Sequence, residues 1–127
     1  MQIVGAVEDG RFGPMNENQA TAWLLGKDGR KTVESKMKTC VSAILADSGS
    51  TSSGGGNTTY SYDGTPMYHT SSGAGSTQGA TVFYAKRPGG VAKILGTGYH
   101  IGAQSYEFTW KSSDWRTVSS MRRISLD

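Results

Sequence analysis

Only two histidines occur in this chain of 127 residues, and one of them stands in an unusual run. The stretch 86-KRPGGVAKILGTGYHIG-102 gathers Lys86, Arg87, Lys93 and His100 around tight turns. Histidine is the side chain whose ordinary pKa lets it exchange a proton near neutral pH. Glu107 follows on the next strand-like segment, so a base, an acid and several cations lie within 22 consecutive positions. That set suits cleavage of a phosphodiester. In RNA the 2′-hydroxyl is deprotonated and attacks the adjacent phosphorus, the 5′-oxygen leaves with a proton, and cations stabilise the phosphoryl oxygens. His100, Glu107, Lys93 and Arg87 are the expected catalytic residues. Lys86, Tyr99, Arg122, Arg123 and the second histidine, His69, are the expected ligand contacts, with His69 on a loop. The scheme calls for no metal and no cofactor.

Other chemistries lack their motifs. The sequence contains no GxxxxGKS/T phosphate loop, no GxGxxG, no HExxH, no CxxC and no GxSxG elbow. The single cysteine, Cys40, excludes an intrachain disulfide. The net charge of +3 is unevenly spread: residues 1–47 carry six basic and six acidic side chains, residues 48–127 seven and four. The excess therefore lies with the candidate site and favours an anionic partner. The first residues, MQIVGAVEDG, carry no basic region followed by a long apolar run, and no window resembles a membrane span. The expectation is a cytoplasmic protein, or one delivered without a cleaved signal peptide, and no membrane partner.

The elements that must position these residues follow from periodicity. Asn16 with Gln19 reads as a capping box opening a helix, with Gly26 as its stop. Val33, Met37, Cys40, Val41, Ile44 and Leu45 recur at intervals of three and four, predicting a helix over 32–46 with Cys40 in its buried stripe. Gly/Ser-rich segments at 48–57 and 70–79 read as flexible parts of one domain spanning 1–127. From Thr81 onward β-branched and aromatic runs alternate with turns, and 96-GTG-98 suggests a bulge. SYEFTWK places Tyr106, Phe108 and Trp110 on one face, expected beneath the helices. The predicted class is α+β, two N-terminal helices packed on one face of a mostly antiparallel sheet. His100 is expected on the other face, with Glu107 as its cross-strand neighbour.

This order of elements, with basic and histidine residues on strands, resembles in outline the small microbial ribonucleases and RelE-type toxins over about residues 15–127. The resemblance implies an RNA-cleaving hydrolase, a nuclease acting as a toxin module, held in check by an acidic inhibitor protein that covers a basic cleft. Two further readings rest on the same residues. One is a non-catalytic RNA-binding or anion-binding module using the cations and tyrosines. The other is a structural or assembly protein whose strand edges pair between copies. The residues leave the oligomeric state open.

Overall fold

Helix α1 (Glu17–Asp28) begins where the sequence caps it. The Asn16 side chain accepts from the Gln19 N–H at 2.8 Å, and the Gln19 side chain accepts from the Asn16 N–H at 3.0 Å. The helix passes through Gly26 and stops at Gly29, which takes the left-handed conformation (φ 85°) and returns its N–H to the Leu25 carbonyl. A glycine inside a helix costs only about 1 kcal/mol, whereas the left-handed cap position excludes most side chains. Gly29, not Gly26, is therefore the stop. A 3-10 turn at Lys31–Val33 leads into α2 (Glu34–Ala46). In this computed structural model, residues 1–11, 13–50, 55–73, 75, 77–103 and 105–120 are described.

The strands are β1 (Gln2–Val4), β2 (Asn57–Tyr62), β3 (Thr65–Ser72), β4 (Ala80–Arg87), β5 (Val91–His100), β6 (Tyr106–Lys111) and β7 (Val118–Ser120). They form one sheet in the order β1-β5-β4-β3-β2-β7, antiparallel except for the β1–β5 pair. The free edge of β5 is shared: β1 pairs with Val91–Lys93 and β6 with Gly96–His100. The predicted α+β class is the class observed. Strand β3 extends to Ser72, so the second Gly/Ser-rich segment begins three residues later than its composition suggests, and His69 lies within a strand instead of a loop.

Apolar residues of both helices, among them Leu24, Met37, Val41 and Ile44, are buried in one cluster with Tyr68, Val82, Tyr84 and Ile94 of the sheet. Cys40 belongs to it, fully buried, with its thiol pushed up to about 12 by burial. A second cluster of Tyr62, Met67, Phe83, Ala85 and Leu95 holds no helix residue and lines the opposite face.

Two bulges set the faces of the last strands. Phe83 pairs with Gly96 and Tyr84 with Ile94, leaving Leu95 as an extra residue. Gly98 pairs with Phe108 and Thr97 with Trp110, leaving Thr109 extra. The expected alternation of Tyr106, Phe108 and Trp110 on one face is thus broken. Trp110 joins the helix-side cluster and meets Trp23 edge to face at 5.5 Å, while Tyr106 and Phe108 pack on the opposite face. An inserted residue reverses side-chain direction downstream, which periodicity alone does not reveal.

A buried ion pair ties the helical layer to the second bulge. Arg30 grips Asp28 through two bonds of 2.7 and 3.0 Å and donates to the carbonyls of Thr77, Gly79 and Gly98. Thr109 donates to Asp28 at 2.7 Å. Burial opposes ionisation of Asp28, but Arg30 and Thr109 together outweigh it and hold the carboxyl below its usual 3.8. The Asp28 side chain is wholly buried. Asp28→Asn is expected to cost about 3 kcal/mol. Arg30→Lys, which keeps the charge but loses the planar fork, is expected to cost about 2 kcal/mol. The Asp28 contribution is fully present above the unfolded value of 3.8 and is lost as pH falls through the depressed folded value. Urea midpoints for wild type and Asp28→Asn should therefore converge only below that pH.

Candidate active site

Strand alternation brings the two histidines together from separate strands. His69 of β3 pairs with Phe83 of β4, and Phe83 pairs with Gly96 of β5. In the next row Ser71 pairs with Thr81, and Thr81 with Gly98. His100 lies two residues beyond Gly98, on the same face. Its Nε2 reaches Ser71 Oγ at 3.0 Å, and its ring centroid is 5.3 Å from that of His69. Opposite His100 across the β5–β6 ladder stands Tyr106, whose ring is 4.6 Å from His100 and 5.5 Å from His69. Phe83, fully buried, meets the Tyr106 ring edge-on at 5.1 Å and forms the floor. Both histidines are half-buried, each with part of its surface open to solvent.

Hydrogen bonding distinguishes the two rings. His69 Nδ1 is 2.8 Å from the Gly56 carbonyl, which also accepts the backbone N–H of His69. A carbonyl can only accept, so Nδ1 carries the proton and Nε2 presents its lone pair. Burial lowers the His69 pKa below its usual 6.5, the Gly56 bond opposes that, and the nearby His100 lowers it further. His69 is therefore mainly neutral at pH 7. His100 Nδ1 faces the Gly102 carbonyl at 3.2 Å. Its Nε2 faces the Ser71 hydroxyl, which donates to a neutral ring or accepts from a protonated one. Burial, then the neighbouring Tyr60, raises the pKa of Tyr106, which stays a neutral phenol.

The other expected site residues lie elsewhere. Glu107 pairs with Tyr99, not with His100, so its side chain leaves the sheet on the opposite face. Tyr99 stacks on the Arg30 guanidinium at 5.0 Å. Lys93 is seven residues from His100 along β5, roughly 20 Å at the usual strand rise, and forms an ion pair with Asp114 at 2.8 Å. Arg87 pairs with Asp63 at 3.1 Å and lies over Tyr62. Lys86 is on the helix side, against Asp47 at 3.3 Å and over the Tyr68 ring. The hairpin cations are thus matched by carboxylates at the far end of the sheet. Arg122 and Arg123 lie outside the described residues. Tyr106 and Ser71 were missed as site residues. Their signal was the same-face spacing of His69 with Ser71 and of Tyr106 with Phe108, which needs a strand register to interpret.

Among the described residues no group of three or more His, Cys, Asp or Glu side chains could hold a metal ion. Two open hollows of about 420 and 470 Å³ lie beside Leu25 and Glu34 of the helices. Neither is lined by a histidine, and the proton-exchanging groups are on the sheet. No protein-family model matches the chain, and no curated protein or solved structure shows significant similarity to it.

A ring titration by NMR tests the pairing. His69 is expected to titrate below 6.5. In His100→Ala it should move upward, because the like-charged neighbour is gone and the ring is better solvated. An unchanged His69 titration would mean that the two rings do not interact.

Proposed function

We propose that the protein is a metal-independent ribonuclease in which His69 and His100 form the acid–base pair. The observation that carries this reading is the 5.3 Å approach of two half-exposed imidazoles with different hydrogen-bond partners. His69 Nε2 takes the proton from the 2′-hydroxyl. The 2′-oxygen attacks phosphorus, and the bond from phosphorus to the 5′-oxygen breaks. Protonated His100 delivers its Nε2 proton to that leaving oxygen as the Ser71 hydroxyl turns to Thr81. The products are a 2′,3′-cyclic phosphate and a free 5′-hydroxyl. The neutral phenol of Tyr106, whose ring packs beside both histidines, donates to a phosphoryl oxygen as charge builds there. Glu107, on the opposite face, has no part in this scheme. A toxin role, with an inhibitor protein covering the histidine face, is the biological setting that fits such an activity.

Folded protein incubated with mixed RNAs in EDTA is expected to release cyclic-phosphate ends and to leave DNA of the same sequence intact. His69→Ala and His100→Ala should each slow cleavage by about 100-fold or more, while Glu107→Gln should change it less than about twofold. The pH–rate profile should be bell-shaped. Its acid limb marks protonation of His69, below the ordinary 6.5. Intact RNA throughout, with salt-dependent binding retained, would move the reading to the non-catalytic binding module.

A further inference from the structure

The open face of the sheet carries more than the two histidines. From Tyr106 a row of half-buried rings continues away from the pair. Phe108 is 6.4 Å from Tyr106, 5.9 Å from Tyr60 and 4.9 Å from Trp115, and Trp115 is 6.0 Å from Tyr60. The rings meet edge to face and do not stack flat on one another. Fully buried Phe83 supports the row from below at 4.9 Å from Phe108. Lys111 lies 5.1 Å from the centres of both Phe108 and Trp115. The ion pairs among the described residues use Arg30, Lys86, Arg87, Lys93 and Arg116, and Lys111 sits over aromatic faces instead.

We propose that Tyr106, Phe108, Tyr60 and Trp115, with Lys111 above them, form a stacking platform for unpaired bases next to the scissile phosphate, making single-stranded RNA the substrate. The assignment rests on the ribonuclease reading for the word substrate, but the platform itself is a binding surface that can be tested without cleavage. Every base has a π-face, and an aromatic row on a sheet takes bases only when they are released from pairing. In a duplex those faces are covered by neighbouring bases. Lys111 supplies the cation for the backbone that accompanies them. Continuity with the histidine pair fixes the direction: a strand laid along the row carries a phosphate past His69 and His100.

The probe is a labelled 2′-O-methyl oligonucleotide of about twelve nucleotides, which cannot be cleaved because its 2′-oxygen is blocked. It is compared with the same strand annealed to its complement, using the 127-residue chain and fluorescence anisotropy. The single strand is expected to bind at least about tenfold more tightly than the duplex. Phe108→Leu and Trp115→Leu should each weaken single-strand binding about fivefold or more. Lys111→Gln, an exposed change that leaves the rings in place, should reduce the salt slope by about one. Circular dichroism checks the fold, and if a ring variant unfolds, the salt slope of Lys111→Gln and the strand preference of wild type decide. Equal affinity for duplex and single strand, or no binding of either, overturns the platform. So does a self-association that Trp115→Leu abolishes, since a second copy would then occupy the face. RNA cleavage without strand preference would leave the ribonuclease standing and the platform refuted. Ring-dependent single-strand binding without cleavage would do the reverse.

Discussion

The candidate site depends on how closely β6 approaches β5. Gly96 and Gly98 have no side chain where one would strike the neighbouring backbone. A Cβ on Gly96 would lie 2.7 Å from the Trp110 carbonyl oxygen, and one on Gly98 would come closer still to that of Glu107. This contact carries the bulge at Thr109, and the bulge decides which aromatic residues face the open side. Tyr106 stands opposite His100 only in this register. A slip by one residue would turn Glu107 toward the histidines and Tyr106 toward the helices. Arg30 secures the arrangement from the helix side, with one bond to the Gly98 carbonyl and, through Asp28, another to the hydroxyl of the bulged Thr109. The helical layer thus acts on the site without touching it, by fixing the register of the strands that carry it.

Among the described residues, most cations of the second half of the chain are spent on local pairing. Lys86, Arg87 and Lys93 each meet a carboxylate, and only the Arg87–Asp63 pair is substantially open to solvent on both sides. Exposed pairs contribute little to stability, whereas Asp47, wholly buried at its side chain, relies on its partners. It accepts from the Tyr84 hydroxyl at 2.8 Å and faces Lys86 at 3.3 Å. Burial and this bond hold Tyr84 well above the ordinary phenol range. A net charge computed from a sequence counts such cations as available to a ligand. The fold uses them to complete the rim of the sheet, which is why the histidines and the cations part company.

Local signals were legible in the residues, and those that depend on register were not. The Asn16–Gln19 capping box, the apolar stripe of α2 and the buried Cys40 are short-range patterns, and each appears as read. The turn at Asp63–Gly64 is likewise visible as a dipeptide, and both residues take positive φ. Gly26 and Gly29 compete for the helix stop only three residues apart, and a composition rule does not rank them. Tyr106, Phe108 and Glu107 are on the faces opposite to those expected for one reason, the extra residue at Thr109, which breaks their alternation with Trp110, itself on the helix side as expected. His69 was misread because its neighbours Thr70, Ser71 and Ser72 look like loop, yet they are the β3 partners of Val82, Thr81 and Ala80. A polar strand beside an apolar one takes its regularity from the neighbour.

In the proposed mechanism, the division of labour between the histidines follows from what each ring is bonded to. A neutral base needs its proton held where it is of no use to the substrate, and Gly56 does this by accepting both the His69 backbone N–H and Nδ1–H. Glycine at position 55 is required for that approach, because a side chain there would collide with the His69 carbonyl. An acid must instead be stable in both protonation states, since it gives up its proton each cycle and regains it. Ser71 provides that for His100, its hydroxyl rotating to donate or accept, with Thr81 at 2.8 Å as the alternative partner. Burial, and then the His100 ring 5.3 Å away, lower the His69 pKa and favour its neutral form. Each Nδ1 faces a backbone carbonyl, Gly56 for His69 and Gly102 for His100, so what separates the two rings is the Ser71 hydroxyl at Nε2 of His100.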